Sequence, residues 1–252
     1  MFLINNMFDI LFARTFFIVG GMLVITAITA LINKGFETSL EYWGSIIALF
    51  GLLIALMFYA NVFPTNLILV GLFSAIMGWI IGPTISALGQ RYKFRKHLKN
   101  NGVVIEKGRN IPKEYQEEFA TSFDNEEYQS EWNNTVFQAL FATAIAVFAT
   151  GGTVFLTNID FSFLNGFLFI SLIILVIMGL LNVFIFRSHM FTFISSYFGA
   201  VIFTLYLLFD FNRLEAMAGD ESWGTAIDIS VNLYLDIINL FLDLLTILSE
   251  FN

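Results

Sequence analysis

WGSIIALFGLLIALMFYANVFPTNLILVGLFSAIMGWIIGPTISALGQ, residues 43–90, contains no Asp, Glu, Lys or Arg, and the charge-free run is bounded by Glu41 and Arg91. A helix needs about 20 mostly apolar residues to cross a bilayer, so this run is long enough for two crossings. They are expected at 43–59 and 67–88, split at Phe63-Pro64-Thr65-Asn66. Proline lacks an N–H and disfavours helix in the residue before it, which puts the turn there. Backbone groups in lipid must pair within the protein, and the run lacks the alternation of a barrel strand, so both crossings read as helices.

Working outward, five further stretches have the same character: 15–32, 136–156, 164–186, 190–209 and 225–248. The last is long enough but carries Asp228, Asp236 and Asp243. The composition agrees. Of 252 residues, 58% are hydrophobic and 13% charged, against about 25% charged in a soluble domain. The mean hydropathy is +0.78, and the 31 Phe suit a surface that faces lipid. The first stretch is expected to stay in the protein, because Asp9 before Arg14 is a poor basic leader and the run is long for a signal segment.

Three regions follow: 1–88 with spans one to three, 89–134 as a charged, water-exposed insert, and 135–252 with spans four to seven. The insert segregates its charge. Arg91, Lys93, Arg95, Lys96, Lys99, Lys107, Arg109 and Lys113 come first with only Glu106 among them. Glu114, Glu117, Glu118, Asp124, Glu126, Glu127 and Glu131 follow with no base. The halves either pair as a hairpin or form a solvated tether. Ten of the 12 Lys and Arg fall on the side of this insert, with Lys34 and Arg187, which on the positive-inside rule is the cytoplasmic side.

Net charge is −8, and residues 210–252 hold eight acids against Arg213. Such a segment repels nucleic acid and attracts cations. With Asp228 at zero on a helical wheel, Asn239, Asn232, Asp243 and Asp236 all fall within about 80°, over an axial length of about 22 Å. Ionisable groups inside a span are costly and normally face a cavity or a partner. No Lys or Arg lies inside any span. The stripe Asp228, Asn232, Asn239 and Asp243 therefore reads as a wet cation path, with Asp236 on the same face. Interhelical hydrogen-bonding glue and a surface helix are the rival readings, although a surface helix usually carries Lys or Arg. Asp210 closes Tyr206-Leu-Leu-Phe-Asp210, where an acid meets the unfavourable end of the helix dipole. Gly71, Gly78 and Gly82 give the third span a small-residue face for close packing. Cysteine is absent and only His97 and His189 are present, which argues against thiolate and multi-histidine metal sites. No Walker loop, H-E-x-x-H helix, nucleophile elbow or dinucleotide fingerprint occurs, and no enzyme activity is expected.

Leu233-Tyr-Leu-Asp236-Ile-Ile-Asn239-Leu-Phe241 resembles the C-terminal signature of the Bax-inhibitor family. Supporting matches are Tyr206 to Asp210, Gly166-Phe-Leu-Phe-Ile-Ser-Leu-Ile-Ile-Leu175 and Gly82-Pro83. The resemblance implies an all-α, seven-transmembrane helix bundle with the C-terminal helix central. It also implies a pH-sensitive passive calcium leak, in which Asp210 and Asp236 share a proton, gate the pore and transiently ligate Ca²⁺. Calcium would be the transported ion, with no other cofactor. Asp228 and Asp243 come from the wheel and not from the family pattern. Two departures are visible. Bacterial family members connect spans three and four briefly, unlike residues 89–134 here. A basic residue near the end of span two latches the pair in family members, and none occurs at 59–66. Asn61 or Arg213 are the candidate substitutes. The family often places its N-terminus in the cytoplasm, against the charge count, so orientation stays open. The expected setting is the bacterial plasma (inner) membrane, with lipid and calcium as partners. The rival function is a non-transporting modulator of membrane proteases or of cell-death and stress regulators, docking through residues 89–134. An intramembrane aspartate hydrolase is the third reading, disfavoured because no substrate-orienting motif accompanies the acids.

Overall fold

The computed structural model describes residues 9–115, 126–157 and 159–251. Among them seven helices are long and apolar enough to cross a membrane. These are α1 (Ile10–Ile32), α2 (Ser39–Tyr59), α3 (Thr65–Asn100), α4 (Gln129–Leu156), α5 (Asn165–Leu181, within the span Ser162–Phe186), α6 (His189–Ala216) and α7 (Trp223–Phe251). A single π-helical turn, Asn182–Phe186, extends α5 and ends at Arg187 in the left-handed region, φ 45°. The chain is a seven-helix membrane protein. Asp9 caps α1, its Oδ1 accepting from Leu11 N at 2.7 Å. Thr38 caps α2, its hydroxyl accepting from Glu41 N at 3.1 Å. The α2–α3 turn falls at Phe63 and Pro64, where the proline argument put it.

Two boundaries differ from the sequence reading, which ended the third span at 88 and began the fourth at 136. Helix α3 runs 36 residues, through Pro83 and on to Asn100, about 54 Å at 1.5 Å per residue and well beyond a hydrocarbon core of about 30 Å. The run from Arg91 to Asn100 is too charged to count as a span, yet nothing in it breaks a helix. Part of the expected water-exposed insert is therefore helical, and Arg91 and Lys93 are buried. Glu117, Glu118 and Asp124, members of the acidic half of the insert, lie outside the described residues.

The chain divides into two compact units. The first comprises Met1–Ser86, Thr150–Ser162 and Leu207–Asp236. Here α1 packs on α3 through the small-residue face: a Cβ on Gly78 would meet Thr26 and Thr29, and one on Gly82 would meet backbone of Ala30 and Asn33. Asn33 Nδ2 donates to Trp79 O at 2.8 Å. A ring chain joins α1, α4 and α6, with Phe12 5.4 Å from Phe155 and Phe155 5.7 Å from Phe211. Helix α2 buries only Leu56, and its exposed Leu40, Ile47, Phe50, Met57 and Phe58 suit a lipid-facing element.

The second unit comprises Ala87–Ala149, Phe163–Tyr206 and Ile237–Asn252. The polar extension of α3 lies along the start of α4. The Tyr92 and Trp132 rings lie 5.5 Å apart, tilted by 44°. Lys93 Nζ donates to Gln129 Oε1 at 2.8 Å, Lys96 pairs with Glu131 at 2.9 Å, and Asn100 Nδ2 donates to Tyr128 OH at 3.1 Å. The end of α7 is tied to this extension as well, through Glu250.

Candidate functional site

Helix α7 begins at a turn held on several sides. Asp220 accepts from Ser222 N at 2.8 Å and from the Thr225 hydroxyl at 2.6 Å. The Thr225 hydroxyl, then the Ser222 N–H, hold its carboxyl below the usual aspartate range. Gly219 N donates to Asp9 Oδ2 at 2.6 Å. The Arg14 guanidinium lies 4.4 Å above the Trp223 ring and donates to the Glu221 carbonyl. Gly224 N donates to Asn61 Oδ1 at 2.7 Å. The entry to α7 is thus fixed to α1 and to the α2–α3 turn.

The rear of α7 is joined to α1 by hydroxyls. Tyr234, fully buried, meets Thr26 Oγ1 at 2.6 Å, and Thr26 Oγ1 is 3.0 Å from Ser74 O. Thr26 has one hydroxyl proton and Ser74 O can only accept, so Tyr234 is the donor to Thr26. Ser230 Oγ reaches Ala226 O at 2.5 Å and Thr15 O at 3.3 Å. Ser230 and Tyr234 sit at about 200° and 240° on the wheel, away from the acidic stripe.

The front of α7 carries the acids. Asp236 faces Asp210 of α6, close enough for one carboxyl to hydrogen-bond the other. Both are buried, with 3% of Asp210 and 6% of Asp236 exposed. The Oδ2 atom of each is buried and has no hydrogen-bond partner among the described residues. Two carboxylates offer only acceptors, so such a bond requires a proton on one of them. Asp210 and Asp236 therefore lie side by side. Asp228 is half exposed and pairs with Arg213. Asp228 and Asn232 line a cavity of about 630 Å³ between α2 and the first half of α7, with Leu56, Asn61 and Leu235 among its walls. The cavity reaches Asn232, one turn before Asp236.

The other candidate residues are placed as follows. Asn239 and Asp243 belong to the second unit. Asp243 lies against Gly199 of α6, where a Cβ would collide with its carboxyl. Asn239 is half-buried. Neither latch candidate hydrogen-bonds the aspartate pair. Asn61 is committed to Gly224, 12 residues and about 18 Å of helix before Asp236. Arg213 gives its hydrogen bond to Asp228, although its charge still bears on Asp210. Among the described residues no three of His, Asp and Glu cluster as metal ligands. The pair offers two carboxyls where calcium takes six to eight oxygens.

Glu250 was missed by sequence reasoning. It accepts from Arg91 Nε at 3.1 Å, from Gly108 N at 2.7 Å, and from Arg95. An acid near the end of the sequence reads as solvated, and Arg91 and Arg95 read as ordinary residues flanking a span. Their i,i+4 spacing, which puts both on one helix face, was the available signal.

Residues 128–252 match the family model described as Inhibitor of apoptosis-promoting Bax1. A Golgi anti-apoptotic protein of vaccinia virus (strain Lister) is 37% identical over 119 residues, 47% of this chain and 48% of that protein. Protein LIFEGUARD 1 of Arabidopsis thaliana is 36% identical over 120 residues, 46% of this chain and 49% of that protein. An uncharacterized membrane protein of Vibrio cholerae is 34% identical over 117 residues, 46% of this chain and 50% of that protein. The chain spans about half the length of the curated relatives it matches.

Proposed function

Because the chain belongs, through its C-terminal half, to the Bax inhibitor family, we propose that it is a passive cation leak, with Ca²⁺ as the ion carried, gated by a proton that Asp210 and Asp236 share. One observation carries this reading: two buried carboxyls in contact, with an undonated oxygen on each. With one proton the pair is closed and singly charged. Without it, two like charges face each other; at about 4 Å and an effective dielectric of 20 their repulsion is about 4 kcal/mol. That is enough to part the side chains and admit a cation. The cavity with Asp228 and Asn232 serves as the vestibule. Carboxylate and amide oxygens are the hard donors that Ca²⁺ prefers. Bacterial relatives such as that of Vibrio cholerae fit a plasma (inner) membrane setting. The reading involves no catalysis.

The test is calcium entry into proteoliposomes at pH 6–8. Flux through the wild type rises with pH. Asp236→Asn removes one titrating partner, so its flux loses that dependence. An Asp236→Asn profile that overlays the wild type would sink the gate.

A second reading draws on the printed name of the vaccinia relative, an anti-apoptotic protein. In it the chain modulates cell-death or stress regulators without carrying ions, docking through residues 89–134. Deleting 114–127 spares Arg91, Arg95 and Gly108. Loss of partner capture with flux intact favours this second role; loss of neither rejects it.

A further inference from the structure

A second cavity, about 310 Å³, lies in the second unit, where the α3 extension, residues 104–107 and the end of α7 meet. It is near the lower size limit of ligand pockets, about 300 Å³. Nothing in the proposed leak uses it. Arg95, Lys96, Lys99 and Lys107 line it with two acids, Glu106 and Glu250. Both acids are already engaged. Glu250 is held by Arg91 and Arg95, and Glu106 pairs with Arg109 at 3.1 Å. Lys96 is taken by Glu131. Lys99 and Lys107 have no ion-pair partner among the described residues; Lys107 lies 3.4 Å over the Phe251 ring. The cavity therefore presents two uncompensated ammonium groups.

Its place beyond the apolar run of α3 and its apolar rim say what it meets. The apolar run of α3 ends at Leu88, and Arg95 and Lys99 follow by about 10 and 16 Å along the helix. The headgroup layer is about 5–8 Å thick on each side of the hydrocarbon. Side chains on a helix lean toward its N-terminus, so these cations lean back toward the bilayer. Val104 and Phe251 stand exposed at the rim, 77% and 53% accessible. Two lysines without an ion-pair partner among the described residues, beside exposed apolar side chains on the part of α3 that leaves the bilayer, match a lipid better than a small soluble anion.

We propose that this cavity binds the phosphate of an anionic phospholipid headgroup, with Lys99 and Lys107 as its contacts and Val104 and Phe251 against the proximal acyl chain. Basic pockets beside membrane helices bind such headgroups, each Lys adding about fivefold to the affinity. The test uses the full chain in a non-ionic detergent, titrated separately with short-chain phosphatidylglycerol, short-chain phosphatidylcholine and inorganic phosphate. Binding is read by tryptophan fluorescence, Trp132 lying in the same unit. Phosphatidylglycerol is expected to bind at least about tenfold more tightly than either other ligand, and Lys99→Gln with Lys107→Gln to weaken it about thirtyfold. Both lysines are exposed, so the double variant keeps wild-type unfolding. The charge-matched control, Lys34→Gln with Lys113→Gln, binds as wild type. Equal affinity for phosphatidylcholine, or a double variant that binds normally, overturns the proposal. Inorganic phosphate binding as tightly as the lipid overturns the headgroup assignment and leaves a site for free phosphate. Preferential capture of an acidic peptide overturns it in favour of a protein partner.

Discussion

Replacing Glu250 by Gln tests how firmly the C-terminal end of α7 is held. The carboxylate receives Arg91, Arg95 and Gly108 N–H, and its side chain is 6% exposed while those of Arg91 and Arg95 are 7% and 13% exposed. Glutamine keeps the shape but supplies one acceptor oxygen and turns an N–H donor toward a guanidinium. Breaking a buried ion pair by removing one partner costs about 3–5 kcal/mol, because the other charge is left uncompensated. Glutamine still accepts one hydrogen bond, so the lower end, about 3 kcal/mol, is expected. The assay is unfolding in mixed micelles with increasing dodecyl sulfate, followed by tryptophan fluorescence. Glu106→Gln is the internal control: its pair with Arg109 is exposed, 66% and 77% accessible, and its loss should cost less than about 0.5 kcal/mol. Glu250 lies 14 residues, about 21 Å, beyond Asp236 on one helix. Glu250→Gln should thus change stability and the size of the flux while leaving the pH midpoint of the flux in place. A loss below about 1 kcal/mol, no larger than a surface pair gives, would refute the reasoning.

Four other outcomes follow from the same contacts. Gly78→Val puts a branched side chain against Thr26 and Thr29 and should destabilise by about 1–3 kcal/mol or more, measured by the same unfolding titration. Tyr234→Phe removes the donor to Thr26 while Thr26 keeps its bond to Ser74 O, so a loss of about 0.5–1.5 kcal/mol is expected. Arg213→Ala, whose pair with Asp228 is 31% and 51% exposed, should cost under about 1 kcal/mol in the same titration. Asp220 is held below the ordinary aspartate value of 3.8 by Thr225 and Ser222. Its stabilising contribution is complete above that value and fades only as pH falls through the lower folded one. It stays ionised across pH 6–8, so Asp220→Asn should leave the shape of the pH–flux curve unchanged.

The helices and the paired acids were legible for the same reason. Lipid forces long uncharged helices, and it makes every acid inside one conspicuous. The bare run 43–90 fixed two spans, and the turn at Pro64 fell where proline chemistry requires. Asp210 was legible as a helix-ending acid, but its contact with Asp236 joins two helices, and only the family resemblance suggested that pairing. The course of α3 past Leu88 was not legible from hydropathy, which reports membrane burial and is silent about a charged helix packed on other polar elements. The Glu250 clamp joins residues 142 to 159 apart in sequence, beyond any local periodicity. Asn61 and Arg213 were sensible latch candidates by chemistry, and both are occupied by nearer partners, Gly224 N–H and Asp228.

The two faces of α7 treat their polar atoms in opposite ways, and that contrast argues for a gate over simple glue. On the rear, Tyr234 donates to Thr26, Thr26 to Ser74 O, and Ser230 to backbone carbonyls. These groups are satisfied whatever the pH. On the front, Asp210 Oδ2 and Asp236 Oδ2 are buried without a donor from elsewhere among the described residues. An acid pair kept for cohesion alone would be stabilised by a neighbouring donor or by replacement with apolar side chains. Arg213 sits one turn beyond Asp210, yet it hydrogen-bonds Asp228. Among the described residues the pair has no donor but its own proton, so on the proposed reading gain or loss of that proton would switch the contact between a hydrogen bond and a repulsion. Replacing both acids at once, Asp210→Asn with Asp236→Asn, should therefore keep the helices joined, since amides supply both donors and acceptors, and abolish the pH response. A double variant that unfolds, or whose flux still climbs with pH, would return the pair to a structural role.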